Sequence, residues 1–174
     1  MTLEHLWAGW RMAYVSSVGA EGPQRSILGE LAPTDCVFCA IIEADAPERE
    51  KLIVWQADMV VAMLNAFPYA PGHVMVMPRR HLRDLEELTT DEEAALWGGV
   101  RRACTALKGA YRPDGYNLGL NLGRAAGAGI PEHLHVHAVP RWAGDTNFMT
   151  ATASVRVLPE ALDESWRRLT EAWR

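Results

Sequence analysis

Three imidazoles recur at every second position in His133-Leu134-His135-Val136-His137, with a hydrophobic residue between each pair. A strand sends alternate side chains to opposite faces, so this spacing puts the histidines in one row and Leu134 and Val136 behind them. At a rise of roughly 3.3 Å per residue, neighbouring imidazoles are rooted about 6.6 Å apart, close enough for two of them to touch one phosphoryl group or one metal ion. A largely neutral imidazole near pH 7 is a competent nucleophile and metal ligand. The run therefore predicts an active site or a metal site.

A second chemical signal lies in Cys36-Val37-Phe38-Cys39. In a reducing compartment such a pair reads as a metal knuckle or a redox pair before it reads as a structural disulfide. No thioredoxin-like βαβ pattern surrounds it, which disfavours the redox alternative. A glycine-containing loop, Gly123-Arg124-Ala125-Ala126-Gly127-Ala128-Gly129, comes just before the histidines and can turn backbone N–H groups toward a phosphate.

These residues need a frame, and 174 residues with 49% hydrophobic and 22% charged side chains suffice for one domain with a full core. The net charge of −5 argues against a general nucleic-acid surface. No apolar run approaches the roughly 20 residues needed to span a bilayer, and Met1-Thr2-Leu3-Glu4-His5 does not resemble a secretion signal, so a cytoplasmic protein without a membrane partner is expected.

Along the chain, the aromatic segment from Leu6 to Val15 is expected to pack on the domain or on a second subunit. Leu52–Trp55 and Met59–Leu64 read as a hairpin joined at Gln56-Ala57-Asp58. His73–Met77 reads as a strand stopped by Pro78. Thr90-Asp91-Glu92-Glu93 reads as a capping box, opening a helix to about Ala110 through Leu96, Val100, Ala103, Cys104 and Leu107. Tyr116–Leu122 and His133–Val139 read as further strands, the second closed by Pro140. Pro159–Arg174 reads as an amphipathic helix on Leu162, Trp166, Leu169 and Trp173. This order predicts an α+β fold with an antiparallel sheet, one long helix and a C-terminal helix.

The run from His133 to Val139 followed by Pro140-Arg141 resembles the signature of the histidine triad superfamily. Leu64-Asn65 with Pro71-Gly72-His73-Val74-Met75-Val76-Met77-Pro78 resembles its second block, and Cys36-Val37-Phe38-Cys39-Ala40-Ile41 its opening. The flanks, Leu6–Met12 and Arg141–Met149, are similar to the branch of bacterial diadenosine tetraphosphate phosphorylases and hydrolases. The resemblance implies a single domain over residues 1–174 with an N-terminal extension 1–35 and a C-terminal extension 142–174. It also implies a half-barrel sheet, a homodimer, and action on nucleoside 5′-phosphoryl compounds such as adenine dinucleoside polyphosphates.

By the same resemblance, His135 is the nucleophile that forms a covalent nucleotidyl intermediate, with water or inorganic phosphate as acceptor, and His137 and His73 support it. Asn65 is implied as a ribose contact; Asn121, His137, Gly127, Ala128 and Gly129 are implied around the phosphate. Cys36, Cys39, His81 and His133 resemble the ligands of a structural zinc ion in zinc-bearing members. The chain departs from many members in the loop before the triad: Ala128-Gly129-Ile130-Pro131 has no side-chain hydroxyl or amide to assist a leaving group. That departure favours a good leaving group such as ATP over a lysine amine. The alternatives are an adenosine 5′-monophosphoramidase and a zinc-stabilised nucleotide-binding protein without turnover.

Overall fold

The β-branched and methionine-rich runs pair into one five-stranded sheet in the order β1-β2-β3-β5-β4, with every neighbouring pair antiparallel. The strands are β1 (Ile53–Gln56), β2 (Val60–Leu64), β3 (Val74–Pro78), β4 (Gly115–Gly119) and β5 (Val136–Arg141). The helices are α1 (Val37–Glu43), α2 (Thr90–Tyr111) and α3 (Leu162–Ala172). This computed structural model describes residues 36–145 and 159–173; the aromatic segment 6–15 and most of the C-terminal flank lie outside them. The expected α+β class, hairpin, long helix and C-terminal helix are all present.

Alternation divides the sheet into two chemical faces. Val60, Ala62, Leu64, Val74, Val76, Leu134, Val136 and Ala138 form one core with Leu96, Val100, Ala103 and Leu107 of α2 and Leu169 and Trp173 at α3. Ile53, Val61, Met63, Met75 and Met77 form the other, against Cys36, Phe38 and Ile41 around α1. Gly99 lets α2 lie close on the sheet, since a Cβ there would sit 2.9 Å from Val76 Cγ1.

The helix α2 starts one residue earlier than the sequence suggests. Thr89, not Thr90, is the cap: its hydroxyl accepts from Glu92 N at 3.3 Å, while the Glu92 carboxylate accepts from Thr89 N at 2.9 Å. Glu92 also takes the Arg80 guanidinium at 2.7 Å, which fixes this box over its neighbour.

Of the two prolines expected to end strands, Pro78 is the last residue of β3 and Pro140 the last but one of β5. Pro78 pairs with Val60, and Pro140 with Tyr116. Both fall beyond the β3–β5 ladder, which covers only Val74–Val76 against Val136–Ala138, so no bond to the missing N–H is lost there. For the same reason β4 stops at Gly119, opposite His137, short of the expected Leu122: β5 begins at Val136 and offers no ladder further on.

Candidate active site and metal centre

Only His137 of the three alternating histidines lies within a ladder; His135 and His133 occupy the segment leading into β5, held by Leu134 N donating to Leu82 O at 2.7 Å. The alternation nevertheless survives. His137 is paired with Met75, so it stands on the α1 side of the sheet, as does His73 two residues before Met75. Gly119 opposes His137, and Asn121 follows it by two.

His135 is buried, and its Nδ1 lies 2.7 Å from its own neighbour's carbonyl, His133 O. A carbonyl only accepts, so the proton sits on Nδ1 and the lone pair on Nε2. Burial lowers the His135 pKa from 6.5, which keeps the ring neutral. Among the described residues Trp173 Nε1 is the only fully buried side-chain nitrogen or oxygen without a partner, so the unpaired Nε2 of His135 is open to solvent.

A chain of hydrogen bonds sets the neighbouring tautomers in the complementary sense. Tyr69 N–H donates to His73 Nδ1 at 3.1 Å, which leaves the proton of a neutral His73 on Nε2. That Nε2–H donates to His137 Nδ1 at 3.0 Å, so neutral His137 carries its proton on Nε2. Asn121 Nδ2 lies 3.4 Å from His137 Nε2, and turning the amide by 180° brings its oxygen to that position, where it accepts from the Nε2–H. Burial first, and the adjacent His135 second, push the His137 pKa down to about 4. The rings of His135 and His137 meet edge to face, 4.9 Å between centroids. A lone pair on one and an N–H on the other are what attack on a phosphoryl centre requires: a nucleophile beside a donor for the developing negative charge.

Next to this pair a cleft of about 510 Å³, its open mouth included, is walled by Val37, Phe38 and Ile41 of α1 and by Met63 and Met75 of the sheet. Its lining is predominantly apolar and suited to a nucleobase. Phe38 joins cleft to site, with its ring 5.2 Å from that of His135. The sequence reading did not single out these wall residues, although Val37, Phe38 and Ile41 carry the one-sided apolar spacing of a short helix. Tyr69 was also missed: it is 46% exposed, and its ring lies 4.6 Å from that of His73.

Asn65 is buried and makes an Asx turn, its Oδ1 accepting from Phe67 N at 2.9 Å, which leaves its amide N–H groups to meet a ligand. In the glycine loop, Gly127 N donates to Arg124 O at 2.9 Å and Ala128 N to Gly123 O at 3.4 Å. Those two N–H groups close the turn; the Gly129 N–H has no such partner among the described residues.

The second cluster brings together Cys36, Cys39, His81 and His133, with all four donor atoms within 4.8 Å of one another. Cys36 Sγ and Cys39 Sγ lie 3.4 and 3.6 Å from His133 Nδ1, and Cys39 Sγ lies 3.3 Å from His81 Nδ1. Bond lengths of roughly 2.3 Å to sulfur and 2.0 Å to nitrogen give a tetrahedron whose S···N edge is about 3.5 Å. The donor set therefore has the size of a zinc site. His133 Nε2–H donates to Pro78 O at 2.9 Å, directing the Nδ1 lone pair at the thiols, the outer-shell arrangement that orients a metal-binding imidazole. Burial and the adjacent Cys36 push the Cys39 thiol up to about 12, a penalty on the thiolate that a divalent cation would reverse.

Comparison with known proteins places these features in a lineage. A family model described as "HIT domain" matches residues 46–144. The chain is 40% identical over 171 residues to a Mycobacterium tuberculosis protein named AP-4-A phosphorylase, covering 98% of this chain and 85% of that one. It is 34% identical over 140 residues to an Arabidopsis thaliana protein named adenylylsulfatase HINT3, covering 80% of this chain and 68% of that one. A crystal structure described as a Zn-bound histidine triad family protein from Mycobacterium smegmatis superposes with a TM-score of 0.64 at 32% identity, covering 80% of this chain and 93% of that one.

Proposed function

Because the chain belongs to the HIT domain family, we propose that it is a nucleotidyl hydrolase or transferase that cleaves dinucleoside polyphosphates by way of a nucleotidyl group carried on His135. The observation that carries this reading is the opposed wiring of the buried His135 ring and the half-buried His137 ring, with a free Nε2 lone pair on His135 and an Nε2–H on His137. A binder without turnover has no use for that arrangement.

With a nucleobase in the apolar cleft and Asn65 at the ribose, the α-phosphorus comes to His135. The Nε2 lone pair attacks phosphorus and the P–O bond to the polyphosphate breaks, releasing ATP from diadenosine tetraphosphate. Nδ1 keeps its proton, and His133 O stabilises the positive ring of the adduct. His137 donates to a nonbridging oxygen as charge builds there. An acceptor oxygen then attacks phosphorus, the N–P bond breaks, and the pair of electrons returns to Nε2. Water as acceptor gives AMP; inorganic phosphate gives ADP, the outcome favoured by the mycobacterial relative's name.

The loop Ala128-Gly129-Ile130-Pro131 supplies no side-chain proton donor to a leaving group. A polyphosphate leaves without one, whereas an amine must be protonated, so this loop speaks against a phosphoramidase. Cys36, Cys39, His81 and His133 would hold zinc, and four protein ligands would make it a structural cross-link with no open position for water. In the homodimer that family membership suggests, the edge strand β4, with Leu118 49% exposed, is available for pairing.

The deciding experiment incubates purified protein with diadenosine tetraphosphate, with and without inorganic phosphate, and separates the products. ADP and ATP formed only with phosphate identify a phosphorylase, and AMP and ATP without it a hydrolase. An intact dinucleotide in both arms refutes the proposal, as does turnover with no acid-quenched radiolabel on residue 135.

A further inference from the structure

The short helix α1 has one face in the cysteine–histidine cluster and another in the wall of the apolar cleft. Cys36 is its N-cap and Cys39 lies in its first turn, while Val37, Phe38 and Ile41 from the same turns line the cleft. The helix is 7 residues long, lacks a side-chain cap bond and has no acidic residue in its first turn. A helix this short is not self-sustaining in water, so its position depends on what it is tied to.

Two connections run from the cluster to the reacting atoms. Phe38, between the two cysteines, packs edge-on against His133 at 5.7 Å and against His135 at 5.2 Å. His133 presents Nδ1 to the thiols while its backbone oxygen holds the His135 Nδ1–H at 2.7 Å. A ligand that fixes Cys36, Cys39 and His133 therefore fixes the cleft wall and the nucleophile's anchor together.

We propose that the Cys36/Cys39/His81/His133 site sets nucleotide affinity: a divalent metal bound there and a nucleobase in the cleft stabilise the same placement of α1, so the two ligands bind with positive coupling. Phe38 is the positioning residue that transmits it. Whichever ligand arrives first orders the helix, the second meets it already ordered, and the coupling is the same read from either side. This inference rests on the nucleotide reading above and adds a function for a metal that takes no part in the chemistry.

The test titrates AMP calorimetrically into the zinc-loaded full chain and into chain stripped with a chelator. In the reverse direction it measures zinc affinity against a competing chelating dye with and without adenosine, which shares the base but lacks the phosphate that would itself bind zinc. Stripping should weaken AMP binding on the order of tenfold, and adenosine should tighten zinc by a similar factor. Phe38→Ala should keep its zinc and lose the coupling. Should stripping unfold the chain, His81→Asn takes its place, since His81 is the exposed ligand and the other three donors remain. Equal AMP affinity in folded loaded and metal-poor protein overturns the coupling, and coupling that persists in Phe38→Ala overturns its route. A loaded protein that binds no AMP at all overturns the nucleotide reading instead.

Discussion

Acidifying the protein from pH 7 to pH 4 should remove about 3 kcal/mol of stability through His137 alone. Burial and the neighbouring His135 lower this imidazole from 6.5 to about 4, and each pH unit of displacement is worth about 1.4 kcal/mol. Between those two values the unfolded chain binds a proton that the folded chain refuses, so stability rises with pH across that window. The contribution is complete above 6.5 and is lost as pH falls to about 4. Protonation on Nδ1 would also set an N–H against the His73 N–H that now donates to it at 3.0 Å. Urea denaturation of the wild type and of His137→Gln, followed by circular dichroism at steps from pH 4 to 8, isolates the effect, because carboxylates and the other histidines contribute to both proteins. The gap between the two curves should be flat above pH 7 and should narrow or invert by about 3 kcal/mol toward pH 4. A gap independent of pH would show that the ring is not held neutral by its surroundings, and the donor role assigned to its Nε2–H would fall with it.

Other substitutions separate chemistry from scaffold. His135→Ala should lower turnover at least about a thousandfold with little change in melting temperature; full activity in a folded variant rules out the nucleophile assignment. Gly99→Ala forces a Cβ to 2.9 Å from Val76 Cγ1 and should destabilise by about 1–3 kcal/mol, read as a lower melting temperature. Cys36→Ala should reduce zinc from about one equivalent per chain, by elemental analysis, and lower stability; metal content equal to the wild type's would exclude the four-residue site.

The clustering of the histidines and cysteines was more legible than the strand ends. His133, His135 and His137 announce themselves because period-two spacing of a rare, reactive side chain has few structural explanations, and Asn121 and His73 converge on His137 at 3.4 and 3.0 Å. Pro78 still closes β3 and Pro140 is passed by one residue in β5, because a proline breaks a strand only where its N–H is needed, and whether a ladder lies on that side depends on the partner's length. Thr89 displaced Thr90 as the cap through Glu92 and its bond to Arg80, a contact between residues twelve apart that local pattern does not contain. The wall of the cleft was hidden for a different reason. Val37, Phe38 and Ile41 carry only the apolar spacing of a short helix, and only the packing of α1 beside Met63 and Met75 reveals that the space between them is left open.

The candidate active site and the main core share one register. Met75 faces His137 across β3 and β5, and the adjacent pairs on either side, Val74 with Ala138 and Val76 with Val136, point the other way into α2. A slip of one residue in β5 would drive His137 into that packed apolar layer and turn Val136 and Ala138 toward the cleft. Leaving an imidazole there without partners would be costly, so the close approach of α2 at Gly99 helps to choose the face on which the histidines stand. The positions that decide the geometry of the histidine row therefore include residues outside the candidate site. Enlarging one of them should alter stability and turnover together, whereas losing His135 should alter turnover alone.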